Sequence, residues 1–445
     1  MILDPSSITP VPHDIPLPLP AGEQFLELLL IVAFVAHILF VNLMVGSSIL
    51  VLAFEIRGRR NADYDRLARA LAATITVNKS MAVVLGVAPL LVISVLYTIH
   101  FYTANALTGT AWILLIPTII VTFLLLYLHK YSWDRMANLK GLHIAILGTA
   151  VALFLFIPLV FLANVNLMMF PERWTTIHGF FSALLLPNVI PRYFHFLSAS
   201  LILTSLFGVG YFGRRNFPVS ETFETFDKPA LRRIFYSIAL AVSLVQFIVG
   251  PLVLFTLPTK GFHGSVVFAI FAGAAVSIPA AWLMWKELSE SQPQGKRLSA
   301  IVGYLTLTVL CMATGRHMYR GIALAEHRRD MRVATEQWVA DSEQAAYDQS
   351  QGLARQAAGE SPGKPLFQSN CSGCHAVDRK VVGPSLVEIA QIYAGSPDGI
   401  VAWAKAPGKK RADFPQMPPF AIVGDAKLHD IAAYMLEAGT KAKAP

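Results

Sequence analysis

Long apolar runs occupy most of this 445-residue chain and constrain its fold more than any other feature. A helix needs roughly 20 apolar residues to cross a bilayer. Because lipid offers the backbone no hydrogen-bond partners and these runs are continuous rather than alternating, membrane-spanning helices are favoured over a β-barrel. The sequence therefore predicts an all-α bundle of eight spans, near 25–54, 80–100, 111–129, 143–168, 193–212, 234–257, 264–285 and 298–320.

The composition supports this prediction. Hydrophobic residues make up 55% of the chain and charged residues 14%, which is too apolar for a soluble protein of this length. The formal charge of +8 raises nucleic acid as a partner, but the Lys and Arg residues lie between the apolar runs and not along one polar face, which argues against that class. Cys311 lies inside an apolar run and only two other cysteines exist, so no disulfide framework is expected.

The distribution of positive charge predicts the sidedness of the bundle. The connections at 55–79, 129–143, 213–233 and 286–297 contain 17 Lys and Arg residues, and the other connections contain 3. By the positive-inside rule the first set is cytoplasmic. With eight spans, both termini then lie in the periplasm, and the protein is a multi-pass protein of a bacterial inner membrane. The N-terminal segment lacks the features of a secretory signal, so the first run is expected to remain as an anchor.

A change of composition after the last span divides the chain. We predict a membrane domain at 1–325, a charged periplasmic helical tether rich in Ala and Gln at 326–360, and a small soluble domain at 361–445. The soluble domain has short helical patterns separated by Gly and Pro, which predict a small all-α fold.

The most specific motif is Cys371-Ser-Gly-Cys374-His375, the attachment signature of haem c. Its two thiols can add to the vinyl groups of one haem, while the adjacent His375 binds the iron. A zinc pair is the alternative, but no second pair of ligands follows at zinc spacing. Met417, in a Pro-rich loop, is the expected sixth ligand. From Phe367 to the end the sequence resembles class I cytochromes c, and that resemblance implies one covalent, six-coordinate haem c.

Histidines inside the apolar runs are candidates for function, because ionisable groups are expensive in a membrane. Several would lie in the outer half of the membrane, on the side of the soluble domain, and such clustering favours haem. For any one of them, an interfacial histidine bonded to a carbonyl is an equally good interpretation. We expect that second role for His129 and His143, on the cytoplasmic side. The outer histidines are His37, His100, His195, His263 and His317.

Over most of residues 25–320 the sequence resembles subunit I of the cytochrome bd quinol oxidases. Four stretches in matching order are similar to that family: Ala36-His37-Ile-Leu-Phe-Val-Asn-Leu-Met-Val-Gly46, Tyr131-Ser-Trp133-Asp134-Arg135-Met136, Arg192-Tyr-Phe-His195-Phe-Leu-Ser-Ala-Ser200 and Ala313-Thr-Gly315-Arg316-His317. The resemblance implies that His195 binds a low-spin haem b and that His37 occupies a haem-ligand position.

The sequence also departs from that family. The second ligand of the low-spin haem is a Met there, and here the same region offers His263, so we predict a haem b held by His195 and His263. The carboxylates of the third span are missing, since their positions fall near Leu114 and Thr122. The long quinol-binding loop is reduced to 257–263, and the soluble domain stands where the ninth span would be.

A second haem b is predicted from the remaining histidines. The family's glutamate ligand of the high-spin haem is replaced by Ala313. His317 lies one helical turn beyond it on the same face and could oppose His37 across an iron. Arg316 would pair with a haem propionate, because its guanidinium suits a carboxylate. His100 competes with His317 for this role.

These features favour an electron-transfer function. The expected protein is a membrane-bound multihaem cytochrome that moves electrons between haem b and periplasmic haem c as a subunit of a respiratory complex, with the direction left open. Six-coordinate irons suit this task, because electron transfer needs no open position. The resemblance implies a second membrane subunit. A periplasmic electron-transfer protein is the expected soluble partner, lipid surrounds the spans, and quinone binding is left open.

Two alternatives belong to other classes. A divergent terminal oxidase would reduce oxygen at a five-coordinate haem on His37, with electrons from the soluble domain, and would give a large high-spin response to carbon monoxide. The missing carboxylates count against it, because oxygen reduction needs protons at a buried site. A sensor, or a plain anchor for the cytochrome, would contain haem c and no haem b.

Overall fold

The computed structural model describes residues 9–15, 17–351, 361–393 and 395–442, without the side chains of 76–79 and 347–351. The chain forms two compact units, Met1–Glu336 and Gln337–Pro445. Every regular element in the described part is a helix, which confirms the all-α prediction.

The first unit is a helix bundle of membrane-spanning dimensions. Seven helical segments are long and apolar enough to cross a bilayer, and the bent pair Ala62–Ile75 and Ser80–Leu96 makes an eighth. Large apolar side chains face outward from them, such as Ile116, Phe255 and Phe268, as lipid contact requires. The protein is therefore a multi-pass membrane protein. Its helices are α1 Glu23–Gly58, α2 Ala62–Leu96, α3 Thr98–Ile113, α4 Leu115–Ser132, α5 Lys140–Leu167, α6 Phe180–Leu184, α7 Val189–Gly213, α8 Val219–Thr222, α9 Lys228–Phe255, α10 Gly264–Ser289 and α11 Leu298–Gln351.

We call the end of the bundle at which α1 begins the outer end, and the end at which α1 finishes the inner end. The segment 101–111, expected to be a simple connection, belongs to helix α3. Gly109 has φ +46°, a left-handed conformation that favours glycine, and it breaks the helical geometry near the end of α3. The next helix, α4, starts at Leu115. The turn between the second and third predicted spans is therefore largely helical.

Buried carboxylates fix the connections at the inner end. Asp63, at the start of α2, is 2% exposed and accepts hydrogen bonds from the backbone N–H groups of Glu224, Thr225 and Phe226 at 2.6–3.0 Å. These bonds hold the segment before α9 against α2. Asp227 then caps α9 by accepting from the Ala230 N–H at 2.7 Å. The cap at Asp227 and the long-range hydrogen bonds to Asp63 thus define where the inner turns lie.

Helix α11 runs without a break from Leu298 to Gln351 and crosses the predicted boundary between the membrane domain and the tether. The predicted tether, 326–360, is helical through residue 351, and 352–360 lie outside the described residues. The exact limits of the three predicted segments stay a prediction.

Helices α1 and α7 approach each other closely at a glycine. A Cβ atom at Gly46 would lie 2.2 Å from the carbonyl oxygen of Ser200 and 2.3 Å from Oγ1 of Thr204, so no larger residue fits there. Small residues allow such contacts between membrane helices, where packing rather than the hydrophobic effect holds helices together.

Polar and aromatic contacts set the register of this pair. Ser200 Oγ donates to Asn42 Oδ1 at 3.0 Å. Twelve residues further along each helix, the rings of Phe54 and Phe212 both pack on Phe235, with centroid distances of 5.9 and 5.6 Å. The two helices therefore run in the same direction, and residues equally far from Asn42 and Ser200 lie at the same depth.

The second unit is a small helical domain built from α12 Gly363–Asn370, α13 Leu386–Tyr393, α14 Pro397–Lys405 and α15 Asp425–Lys441. Helix α15 packs on the other three. Its crossings need glycine, because a Cβ at Gly363 would lie 1.8 Å from the Asp430 carbonyl oxygen and one at Gly439 would lie 2.2 Å from that of Leu386. The core that results includes Phe367, Leu386, Ile389, Ile400, Leu428, Ile431 and Met435.

Replacing Gly46 with alanine should separate α1 from α7, because the added methyl group has no room. We expect a loss of about 1–3 kcal/mol of stability, the usual cost of overpacking a close contact, seen as a lower midpoint of thermal unfolding in detergent. Gly148→Ala is the matched control, since a Cβ there meets no atom within 4 Å. An unchanged midpoint for Gly46→Ala would contradict the close approach.

Candidate haem sites

The Cys-x-x-Cys-His segment follows α12 and folds around the proximal histidine. The His375 Nδ1–H donates to the Pro384 carbonyl oxygen at 2.8 Å, which fixes the ring and leaves Nε2 free for iron. A Cβ at Gly383 would lie 2.4 Å from the His375 ring, so this position has room only for glycine. The Gly383 N–H also donates to the Cys374 carbonyl oxygen at 2.8 Å, which ties the loop back to the motif.

The two cysteines differ in environment. Cys371 is partly buried against the domain core, and Cys374 is exposed. Burial, with a smaller contribution from Cys374, raises the pKa of the Cys371 thiol to about 11. Free Cys371 therefore stays a neutral thiol near pH 7. The residues present fit a covalent haem c, with two unpaired thiols and one oriented imidazole in a single segment.

The loop that contains Met417 is held in place from both sides. Met417 packs against the edge of the domain core. The Phe420 N–H donates to the Ala404 carbonyl oxygen at 2.8 Å at the end of the loop. At its start, Arg411 pairs with Asp413 at 2.7 Å and also with Glu388 of α13. The Arg411 guanidinium lowers the pKa of Asp413. The role of Met417 as the sixth ligand stays a prediction. The loop that contains it is held in place at both ends.

His37 of α1 and His195 of α7 lie at the same depth near the outer end. His37 precedes Asn42 by five residues and His195 precedes Ser200 by five, and the Asn42–Ser200 hydrogen bond sets the register. Because the two helices run in the same direction, both imidazoles occupy one layer of the bundle.

The His37 ring is oriented as a metal ligand would be. Its Nδ1–H donates to the Ala82 carbonyl oxygen of α2 at 2.9 Å, which leaves Nε2 with a free lone pair. A Cβ at Gly86 would lie 2.8 Å from the His37 ring, so α2 makes room for the imidazole there. The same pattern, a backbone carbonyl that holds Nδ1 and a glycine beside the ring, occurs at His375.

The His195 ring has a nitrogen without a partner. Its Nδ1 is buried and forms no hydrogen bond with any described residue. The backbone carbonyl oxygen of His195 accepts from Gln246 Nε2 at 3.1 Å, which fixes the helix beneath the ring. A buried polar atom without a partner is costly, so a further ligand at this imidazole would remove that cost.

Three arginines gather in the outer half of the membrane domain, and none of them forms an ion pair in the described part of the chain. Arg316 lies within electrostatic reach of Arg192 and Arg320. The Arg316 guanidinium lies 4.9 Å from the Phe34 ring centroid, and the Arg320 guanidinium lies 4.8 Å from the Tyr97 ring centroid. The Nε atom of Arg320 is buried and has no hydrogen-bond partner among the described residues. Arg316 is exposed at the surface of the bundle, and Arg192 and Arg320 are half-buried. Because a cation within a membrane-spanning segment is costly without an anionic partner, this site fits an anionic group such as a haem propionate.

The predicted second ligands, His263 and His317, have other contacts in the described part of the chain. His263 is exposed and caps α10, where its Nδ1 accepts from the Ser265 N–H at 3.4 Å. His317 lies beside Glu27, with Nε2 3.7 Å from Oε2, and its Nδ1 is buried without a partner. The structure thus places His317 beside Glu27 and not beside His37. The pairs His195 with His263 and His37 with His317 stay predictions.

His100 has a partner that sequence reasoning missed. Its Nε2 lies 3.0 Å from Nδ1 of His327, and both rings are buried. The His327 Nε2–H donates to the Pro10 carbonyl oxygen at 2.8 Å, so its Nδ1 accepts from His100 when His327 is neutral. His100 is therefore engaged within the protein. The only signal in the sequence was a histidine in the charged stretch after the last span.

His129 and His143 have more contacts than the expected bond to a carbonyl, which His143 forms with the backbone oxygen of His129 at 2.8 Å. They are 2% and 0% exposed, and both contact the carboxylate of Glu55, which is fully buried. The sequence contained one signal for this cluster. Glu55 lies near the end of the first apolar run, and two other runs have a histidine near the inner end.

Comparisons with known proteins identify the second unit. Residues 360–439 match the sequence model of the cytochrome c family. Over 78 residues the chain is 36% identical to cytochrome c-551 of Azotobacter vinelandii, which covers 17% of this chain and 94% of that protein. Over 72 residues it is 39% identical to cytochrome c-552 of Nitrosomonas europaea, covering 16% of this chain and 70% of the relative. The covalent haem c and the electron-transfer role follow from this match, and the chain belongs, through its C-terminal domain, to the cytochrome c family.

Proposed function

We propose that this chain moves electrons between two haems b at the outer end of its membrane domain and the haem c of its C-terminal domain. The observation that supports this most directly is the group of Arg192, Arg316 and Arg320, three cations that form no ion pair with any described carboxylate and lie near the layer of His37 and His195. Bound haem supplies one-electron chemistry, and its propionates are anions of the kind that arginine forks bind.

Each residue in the membrane site has a separate task. His37 offers Nε2 to iron, and the Ala82 carbonyl oxygen holds its ring. Arg192 lies one helical turn before His195 on α7, so a haem on that imidazole would have its propionates near the guanidinium. These groups orient a redox centre and compensate its charge, and none of them has to move a proton.

The C-terminal domain performs the matching task. His375 is oriented by Pro384, and Met417 supplies a thioether that raises the reduction potential of haem c. A haem iron held by both residues would have no open position for a small substrate and would supply one-electron chemistry. Electron transfer between bound centres is therefore the chemistry that these residues suit.

The arrangement favours electron transfer over oxygen reduction. Residues 25–320 resemble subunit I of the cytochrome bd oxidases, but the positions of its third-span acids hold Leu114, which is exposed, and Thr122, whose hydroxyl donates to the Thr118 carbonyl oxygen at 2.7 Å. Ala313 stands in place of the glutamate ligand. Proton delivery to the haem layer would need other groups.

We place the outer end and the cytochrome c domain in the bacterial periplasm. The inner connections hold most of the Lys and Arg residues between the spans, as cytoplasmic loops do. The partners we propose are a second membrane subunit and a soluble periplasmic electron-transfer protein, with quinone as a further candidate.

Replacing His195 with alanine should remove one of the two haems b, because no other described nitrogen takes its place at that depth of α7. The reduced-minus-oxidised absorbance of haem b, normalised to haem c, should fall to about half, as loss of one of two bound ligands requires. His178→Ala is the control, since His178 is exposed in the loop before α6. Full haem b absorbance in the His195 variant would contradict the assignment.

Replacing Met417 with alanine should lower the midpoint potential of haem c. The shift should be on the order of 0.1 V, a fraction of the about 0.8 V that axial ligands cover in haem proteins. Potentiometric titration of the full chain measures it. The neighbouring Gln416→Ala, an exposed residue in the same loop, should leave the potential unchanged, and an unshifted potential in the Met417 variant would exclude the thioether as ligand.

A further inference from the structure

A buried cluster at the inner end of the membrane domain has no part in the proposed electron transfer. It joins Glu55 of α1, His129 of α4 and His143 of α5, which are 0–2% exposed. His129 Nε2 lies 2.7 Å from Oε2 of Glu55, and His143 Nδ1 contacts Oε1 of the same carboxylate. The two imidazole rings stack with centroids 4.1 Å apart. One carboxylate thus contacts two stacked imidazoles from separate helices.

Hydrogen-bond chemistry decides which atoms hold protons. The His143 Nε2 lies 2.8 Å from the backbone carbonyl oxygen of His129, which can only accept, so Nε2 carries a proton. A neutral His143 would then turn the lone pair of Nδ1 toward Oε1 of Glu55, and two acceptors would face each other. The contact forms a bond only when a cation lies between these atoms. His129 needs no added proton, because its neutral Nε2–H can donate to Oε2 of Glu55.

We propose that Glu55, His129 and His143 form a proton-binding site that holds one exchangeable proton between Glu55 and His143 and takes it up from the aqueous phase at the inner end. The site goes beyond electron transfer, because it gives the membrane domain a place to accept a proton on the side opposite the haem layer. It also lies far from that layer, since 18 residues of α1 separate Glu55 from His37, about 27 Å along a helix.

The charge of the surroundings favours a proton over a metal ion in this site. Lys140 Nζ lies 2.8 Å from Oε1 of Glu55 and 2.6 Å from Oδ1 of Asp65, and these two carboxylates and one ammonium carry a net charge of −1. One added proton, held as a charged His143, makes the cluster neutral. A divalent cation would leave a positive charge in a low-dielectric interior, which is costly. Two histidines and a carboxylate could otherwise bind zinc, so the metal is the outcome to exclude.

The same residues connect the cluster to water. The side chains of Lys140 and Asp65 are 23% and 29% exposed, whereas Glu55 is fully buried. Lys140 lies over the Trp133 ring at 4.2 Å, and the Trp133 Nε1–H donates to Asp65 at 3.3 Å. The ionisable groups that face Glu55 are therefore His129 on α4 and Lys140 and His143 on α5, with Asp65 on α2 behind Lys140. A proton that enters at Asp65 passes one intermediate group, Lys140, before it reaches the carboxylate of Glu55.

The test counts charged imidazoles in the intact protein. The full chain, labelled with ¹⁵N in its histidine rings and placed in lipid at pH 8, is studied by solid-state NMR, which separates charged from neutral imidazole. Most of the 12 histidines should be neutral at that pH, since an unperturbed histidine has a pKa of about 6.5. Relative to wild type, Glu55→Gln should lose the signal of one charged ring. Glu287→Gln is the matched control, because Glu287 is also fully buried but accepts from the Gly295 and Arg297 backbone N–H groups and no imidazole.

A second pair of variants keeps the test decisive if Glu55→Gln does not fold. His143→Gln should remove one charged ring from the count, whereas His178→Gln, at an exposed position, should remove a neutral one. The proposal is overturned if the wild type has no charged imidazole at pH 8 or if its count is unchanged in Glu55→Gln. It is also overturned if metal analysis of the wild type finds one divalent ion per chain in addition to haem iron.

Discussion

The close, parallel packing of α1 against α7 is the constraint on which the membrane site depends. Gly46 lets the two backbones approach, and the Asn42–Ser200 hydrogen bond fixes how far each helix slides along the other. That register places His37 and His195 in one layer. Without it, the two imidazoles would lie at different depths of the bundle, and the proposed haem layer would have no structural basis.

Charge, rather than shape, distinguishes the two ends of the bundle. At the outer end, Arg192, Arg316 and Arg320 form no ion pair with a carboxylate in the described part of the chain, and they leave positive charge in the membrane domain. At the inner end, Glu55 and Asp65 surround Lys140 and leave a negative charge that a proton can balance. A charge within a membrane-spanning bundle is costly unless something offsets it, so the first site suits an anionic cofactor and the second suits a small cation.

The sequence predicted the features that local chemistry decides. Continuous apolar runs gave the eight spans, and the Cys371 to His375 motif gave the haem c domain. Features that depend on packing were missed: Glu55 meets His129 and His143 only because α1, α4 and α5 converge, and His100 meets His327 across 227 positions. The segment 101–111 was expected to be a simple connection, because hydropathy identifies membrane spans and does not identify helices in the turns between them. The second ligands of the proposed membrane haems depend on side-chain placement, and the sequence offered only histidines at suitable depths.

A count of haem types in the purified full chain tests the central claim most directly. Pyridine haemochrome analysis separates haem b from haem c after the protein is denatured, so it depends on neither ligand assignment nor fold. We expect two haems b for each haem c. A spectrum with haem c alone would contradict it, because the outer arginines and the layer of His37 and His195 would then hold no redox centre.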